Sequence, residues 1–321
     1  MLLNFVALAA GVATLVWSAE LFIRGAAAIA QRVGMPPLII GMTIVSLGTS
    51  APEILVSATA AAAGAGGLAV GNALGSNIAN VGLVLGVTLI ISPILVGRTT
   101  AFVDLPLLLA ITILCGWLLH DGNLTAFDAS ILFATLLLYL VRIALHLRKP
   151  GINDDTSQVE ELPLTRATGA FILGLAVLIM SSRVLVWGAV NIAEGFGVSE
   201  LVIGLTIVAL GTSLPELAAS IVSAVKGHAD IAIGAVVGSN MFNLLIVLAL
   251  PGFFSTLSLS VADLQRDLGT VFATTAGLAV LTWLGWRSGK NHAHLGRLAG
   301  CLFLSSYVVY CLWLYYDIQK V

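Results

Sequence analysis

Charge is what this sequence has least of. Only 9% of its 321 residues are Asp, Glu, Lys or Arg, against roughly a quarter in soluble domains. So little charge excludes an ordinary water-soluble fold, and a net charge of −2 offers nucleic acid nothing to bind. Cysteine is scarce as well. Cys115, Cys301 and Cys311 are an odd number without metal-type spacing, which points away from a complete disulfide framework. There is no HExxH, and neither Ser50 nor Ser213 sits in a GxSxG setting, so an intramembrane enzyme is the weakest function class. No soluble domain fits either, because the longest polar stretch is "RKPGINDDTSQVEELP", residues 148–163. The first apolar run lacks a basic leader and contains Glu20 and Arg24, so it reads as a retained helix and not a cleaved signal.

What the chain has is apolar length. Runs of about twenty residues, each long enough to cross a bilayer core, recur near 5–27, 38–60, 68–92, 103–120, 127–148, 166–190, 201–225, 231–251, 266–286 and 296–316. The expected class is an all-α membrane protein with ten transmembrane helices.

The chain is also one unit written twice. An offset of 163 aligns residues 38–57 with 201–220 without a gap, and thirteen of those twenty positions are identical. The same offset pairs "GNALGSNIAN" (71–80) with "GAVVGSNMFN" (234–243), Gly25 with Gly188, and Asp104 with Asp267. Residues 1–149 form the first repeat, 150–163 a connecting loop and 164–321 the second. Five spans per repeat, an odd number, invert the second repeat relative to the first, an arrangement that secondary transporters use. Lys and Arg divide eleven to three between the two sides. The richer side, which holds the connecting loop 150–163, is therefore expected in the cytoplasm and both termini outside, with the plasma (inner) membrane as the expected location.

The repeated heptapeptide, "LGTSAPE" at 47–53 and "LGTSLPE" at 210–216, is ill suited to lipid. Ser46, Thr49, Ser50 and Glu53 lie three or four residues apart and share a helix face. Pro52 and Pro215 remove a backbone donor and break the helix at mid-membrane depth, which frees carbonyls near Gly48 and Thr49. Hydroxyls, carbonyls and a carboxylate make an all-oxygen surface of the kind that hard cations select. Ser76 and Asn80, and likewise Ser239 and Asn243, add oxygens one turn apart, while Gly71, Gly75, Gly234 and Gly238 allow close helix approach. A pseudo-twofold axis would bring Glu53 and Glu216 into one site. Two facing carboxylates should not both stay ionised without a cation, so a site that always carries positive charge suits an exchanger.

"GMTIVSLGTSAPE" with "GSNIAN", repeated as "GLTIVALGTSLPE" with "GSNMFN", resembles the two α-repeats of the cation/calcium exchanger superfamily. The likeness is to prokaryotic sodium/calcium exchangers, the calcium/sodium antiporters, and it covers essentially the whole chain. The resemblance implies ten helices in inverted fives and Na⁺/Ca²⁺ exchange by alternating access. It implies Glu53 and Glu216 as main calcium ligands that also serve sodium, with Thr49 and Thr212 beside them. Ser50, Ser76, Ser213 and Ser239 would complete sodium sites with the backbone carbonyls of Ser46 and Ala209, and Asn80 and Asn243 would line the centre. Several relatives carry aspartate where Asn243 stands, and the amide lowers the site's negative charge, so the sodium number, potassium involvement and proton coupling stay open. No cofactor, nucleic acid or obligatory protein partner is implied. The partners are Na⁺, Ca²⁺ and the bilayer.

Other features have plainer readings. Gly64 to Gly67 suggest a short turn. Asp104 and Asp267 read as favourable charge at helix N-termini, and His292 and His294 as solvated loop residues. The acidic "DDTSQVEE" reads as a solvated connection. Glu20 has two candidate partners, Arg24 one turn away and Arg183, its counterpart under the offset. A cation channel is the remaining class, although a two-fold site within one chain fits an alternating carrier better.

Overall fold

The computed structural model describes residues 2–147, 162–195, 209–286 and 292–318. The chain is mostly helical. In order, the helices are α1 (Leu2–Val33), α2 (Pro37–Thr49), α3 (Ala51–Ala62), α4 (Gly66–Ile91), α5 (Thr100–Leu118) and α6 (Ala126–Leu147). They continue with α7 (Leu164–Gly195), α8 (Ala209–Thr212), α9 (Leu214–Val225), α10 (Ala229–Phe254), α11 (Val261–Leu284) and α12 (Arg297–Ile318). Among the described residues, eight helices are long and apolar enough to span a membrane, or nine if the bent pair α2 and α3 is one span. The tenth expected span, 201–225, is described only from Ala209, where α9 is a shorter apolar helix. The acidic connection "DDTSQVEE" lies outside the described residues.

Four short strands depart from a purely helical expectation. β1 (Ile94–Gly97) pairs antiparallel with β4 (His292–Leu295), and β2 (Asn123–Leu124) with β3 (Leu257–Ser258). The first ribbon joins the α4–α5 connection to the segment before α12, and the second joins the α5–α6 connection to the one before α11. Connections too short to fold alone satisfy their backbone groups by pairing with each other. Both histidines lie in β4 and not in a loop, with His294 exposed as expected but His292 half-buried.

Two apolar clusters hold the helices. The larger gathers α4, α5, α6, α10 and α11. The smaller lies around α1 and takes in α2, α7, α9 and the first two turns of α10. Helices α1 and α7, 32 residues each, are about 48 Å long and cross closely. A Cβ at Gly174 would sit 2.5 Å from the Phe22 nitrogen, and one at Gly25 would collide with the Phe171 backbone. Helix α10 approaches α2 the same way, since a Cβ at Gly234 would fall 2.6 Å from the Leu38 carbonyl oxygen and one at Gly238 2.5 Å from that of Met42. A Cβ at Gly71 or Gly75, the matched pair, would meet nothing within 4 Å among the described residues. The segment that the offset aligns with 38–45, residues 201–208, is outside them.

Three sequence expectations are corrected or refined. Glu20 does not pair with Arg183. It accepts from Arg24 at 3.3 Å and from Lys226 at 2.7 Å, because α9 ends beside α1. Asp104 is no helix-start charge. The span begins at Thr100 with a π-helical turn, so Asp104 is carried inside, 2% exposed, and pairs with Arg142 of α6 at 3.0 Å. Asp267 likewise lies within α11, paired with Arg266 at 2.8 Å and accepting from the Tyr310 hydroxyl at 3.1 Å. The turn at Gly64 is as expected, with φ of +78°, and Gly227, its counterpart, has +84°.

Candidate functional site

Each motif breaks two residues before its proline. Ser50 leaves helical geometry with ψ of 1°, and Ser213 does the same. Pro52 and Pro215 then occupy the first turns of α3 and α9. A first-turn N–H has no intrahelical partner to lose, so proline is tolerated there. The α2–α3 bend is 45°. Glu53 and Glu216 fall in these first turns, where the positive end of the helix dipole favours a negative charge.

The breaks bring distant residues together. The Ser50 hydroxyl donates to the Glu216 carboxylate at 3.5 Å across 166 positions. Glu53 is 1% exposed and Glu216 5%. Ser46, Thr49, Ser50, Ser76, Asn80, Ser213, Ser239 and Asn243 are all buried. Thr49 donates to the Val45 carbonyl at 3.1 Å, and Ser46 to that of Thr43 at 3.1 Å. Thr212 is half-buried at the end of α8, whose backbone begins at Ala209. Oε2 of Glu53, Oε2 of Glu216, Oγ of Ser239 and both amide atoms of Asn243 have no hydrogen-bond partner among the described residues. Each such buried atom costs about 1–3 kcal/mol. Several together are accounted for most simply by a polar ligand they receive.

Several residues around this cluster were missed in the sequence. Asn72 of α4 donates to the Glu53 carbonyl at 3.1 Å and to Ser57 Oγ at 2.9 Å, and Ser57 donates to the Ala69 carbonyl at 3.2 Å. Asn80 donates to Asn240 at 3.1 Å, which links α4 to α10. Asn80 and Asn243 each open a π-helical stretch, Asn80–Leu85 and Asn243–Val247. The extra residue in such a turn rotates the two flanking parts of the helix relative to each other, a local device common at functional sites. Nothing in the composition of these stretches announces it. Their matched positions under the offset are the only trace.

Alongside the cluster is a cavity of about 380 Å³ lined by Pro52, Val56, Ser182, Arg183, Thr212 and Pro215, among others. Ser182 of α7 donates to the Gly211 carbonyl at 2.8 Å and holds α7 against the second break. Among the described residues, no three His, Cys, Asp or Glu side chains gather as a resident metal centre would require. The cluster is two carboxylates among neutral oxygens, the donor chemistry that hard cations select.

The chain is similar to known proteins along its whole length. CaxA of Alkalimonas amylolytica is 43% identical over 307 residues, covering 94% of this chain and 95% of that protein. The inner membrane protein YrbG of Escherichia coli (strain K12) is 37% identical over 324 residues, with 98% of each covered. The solved structure of the sodium-calcium exchanger NCX_Mj superposes with a TM-score of 0.82 at 29% identity, over 96% of this chain and 97% of that one. The family described as Sodium/calcium exchanger protein matches residues 3–145 and 166–316. With its fold and nearly all its length accounted for, the chain belongs to the sodium/calcium exchanger protein family.

Proposed function

We propose that the chain is a secondary active antiporter that exchanges Na⁺ for Ca²⁺ by alternating access at a mid-membrane site built around Glu53 and Glu216. The observation that carries this reading is the Ser50–Glu216 hydrogen bond, which joins the first motif to the carboxylate of the second. In the proposed architecture ten helices form two inverted fives, 1–149 and 164–321, with 150–163 between them in the cytoplasm.

The chemistry follows from charge. Two ionised carboxylates in a low-dielectric interior repel each other and are costly to desolvate. One Ca²⁺ or several Na⁺ offset that cost. Thr49 and Thr212 serve both ions. The hydroxyls of Ser50, Ser76, Ser213 and Ser239, and the carbonyls of Ser46 and Ala209, complete the sodium positions. Asn80 and Asn243 line the centre as neutral donors. A loaded site crosses readily and an unloaded one does not, so entry of one ion is tied to exit of the other. The solved relative NCX_Mj is named as a sodium-calcium exchanger, which supports the choice of ions.

The test is radiolabelled Ca²⁺ uptake into proteoliposomes preloaded with Na⁺ at clamped pH, with Glu53→Gln and Glu216→Gln alongside. Uptake should require outward-directed Na⁺ and be lost in both variants. Uptake driven by an imposed proton gradient and indifferent to Na⁺ would replace sodium with protons as the coupling ion.

A further inference from the structure

The helices that carry the two carboxylates differ in the residues beyond them. On α9, Ser220 and Ser223 stand four and seven residues after Glu216 and share its face. Each is 1% exposed, and neither hydroxyl has a hydrogen-bond partner among the described residues. Hydroxyls in helices commonly return their proton to their own backbone, as Thr88 and Thr112 do here. Ser220 and Ser223 do not. Their face is the seam between the two apolar clusters. Leu217 and Ala224 on one flank pack into the larger, and Ala218, Ala219 and Val222 on the other into the smaller.

The matched row on α3 is closed. Asn72 clamps Ser57 and the Glu53 carbonyl, and Ala60 stands where the second repeat has Ser223. On α10 the position of Asn72 is held by Ala235, so the second row has no clamp. The α9 row runs about 15 Å from Glu216 to the helix end. There Lys226 reaches across to Glu20 of α1 at 2.7 Å, the His228 N–H donates to the Ser223 carbonyl at 2.8 Å, and Ser92 donates to that of Ala224 at 3.4 Å.

The geometry points to a cation access path along α9, in which Ser220 and Ser223 serve as successive hydroxyl ligands between Glu216 and a mouth that the Glu20–Lys226 pair closes. This rests on the exchanger reading for the site at its inner end. It names the transient ligand class, a partly dehydrated monovalent or divalent cation, and assigns the pair a gating role that a surface ion pair would not have. Because the matched α3 row is clamped, the route along α9 has no equivalent along α3.

The test uses a background in which Cys115, Cys301 and Cys311 are replaced by alanine. S220C, S223C and S57C are each exposed to a cationic methanethiosulfonate reagent from either side of sealed membrane vesicles. S223C should react from the Lys226 side only, S220C more slowly from that side, and S57C from neither. Bound Ca²⁺ should slow S220C. E20Q or K226Q should raise the S223C rate about two- to fivefold, the range open to a half-exposed ion pair. An inert S223C in protein that still transports, or equal reactivity at S57C, overturns the path. An S223C rate indifferent to both charge variants overturns the gate. S223A should melt near the parent, which checks folding, and should slow uptake, whereas S223L should block it. Wild-type Na⁺-driven Ca²⁺ uptake is scored separately, so failure of the coupling ion and failure of the path give different results.

Discussion

Ser50 and Glu216 stand 166 residues apart in the chain and 3.5 Å apart in space. The bond is long, so its loss should be modest. Ser50→Ala should raise the half-saturating cation concentration roughly fivefold, the equivalent of about 1 kcal/mol. The thermal midpoint should stay near that of the parent. Concentration dependence of uptake beside a melting curve checks this, and an unchanged half-saturation with lowered stability would reduce Ser50 to a packing role.

Asp104 and Arg142 form an unequal pair, because Asp104 is 2% exposed and Arg142 36%. Arg142→Leu leaves a carboxylate inside and should cost about 2–4 kcal/mol, somewhat below the loss for a wholly buried pair. Asp104→Leu leaves an arginine that reaches water and should cost less than about 1 kcal/mol. The double variant should resemble Asp104→Leu. Thermal unfolding in detergent reads the order, and equal losses in the two single variants would contradict the asymmetry.

The crossing of α1 and α7 depends on two glycines that face opposite helices. Gly25→Ala and Gly174→Ala each place a methyl group against backbone and should destabilise by about 1–3 kcal/mol. Gly169 is exposed on the same α7, with nothing within 4 Å of its Cβ position among the described residues. Gly169→Ala should therefore be neutral or stabilising by up to about 1 kcal/mol. The contrast within one helix separates close approach from helix propensity.

His228 lies in the turn between α9 and α10, and burial holds its pKa below the ordinary value of 6.5. The fold thus favours the neutral ring. Its contribution is fully present above pH 6.5 and declines as pH falls below that value, where the unfolded chain takes up the proton first. His228→Gln should flatten the acid side of a plot of melting temperature against pH. A slope unchanged by the substitution would assign the acid sensitivity to other groups.

Much of this was legible beforehand, and for a physical reason. Lipid leaves a hydroxyl–proline–carboxylate cluster so few acceptable settings that "GTSAPE" and "GTSLPE" announce a buried polar centre on their own. The clamp at Asn72 was not legible, because its counterpart is Ala235 and a search by repeat discards the positions where the repeats differ. The π-helical stretches at Asn80 and Asn243 escaped because apolar spacing fixes which residues are helical but not where an extra one is inserted. Asp104 was misplaced for a related reason. The apolar run starts near 103, but the helix starts at Thr100, and that difference carries the carboxylate from the helix mouth to the interior.

The ribbon of β1 and β4 sets an order of events during synthesis. Ile94–Gly97 emerges about two hundred residues before His292–Leu295. At roughly 5–20 residues per second the ribosome takes about 10–40 s to supply the partner. Through that interval Ile94 and Val96, both fully buried in the finished protein, sit on an unpaired edge while five or more helices enter the bilayer. A nascent chain arrested before residue 292 thus keeps its first strand without the partner that pairs it in the finished fold.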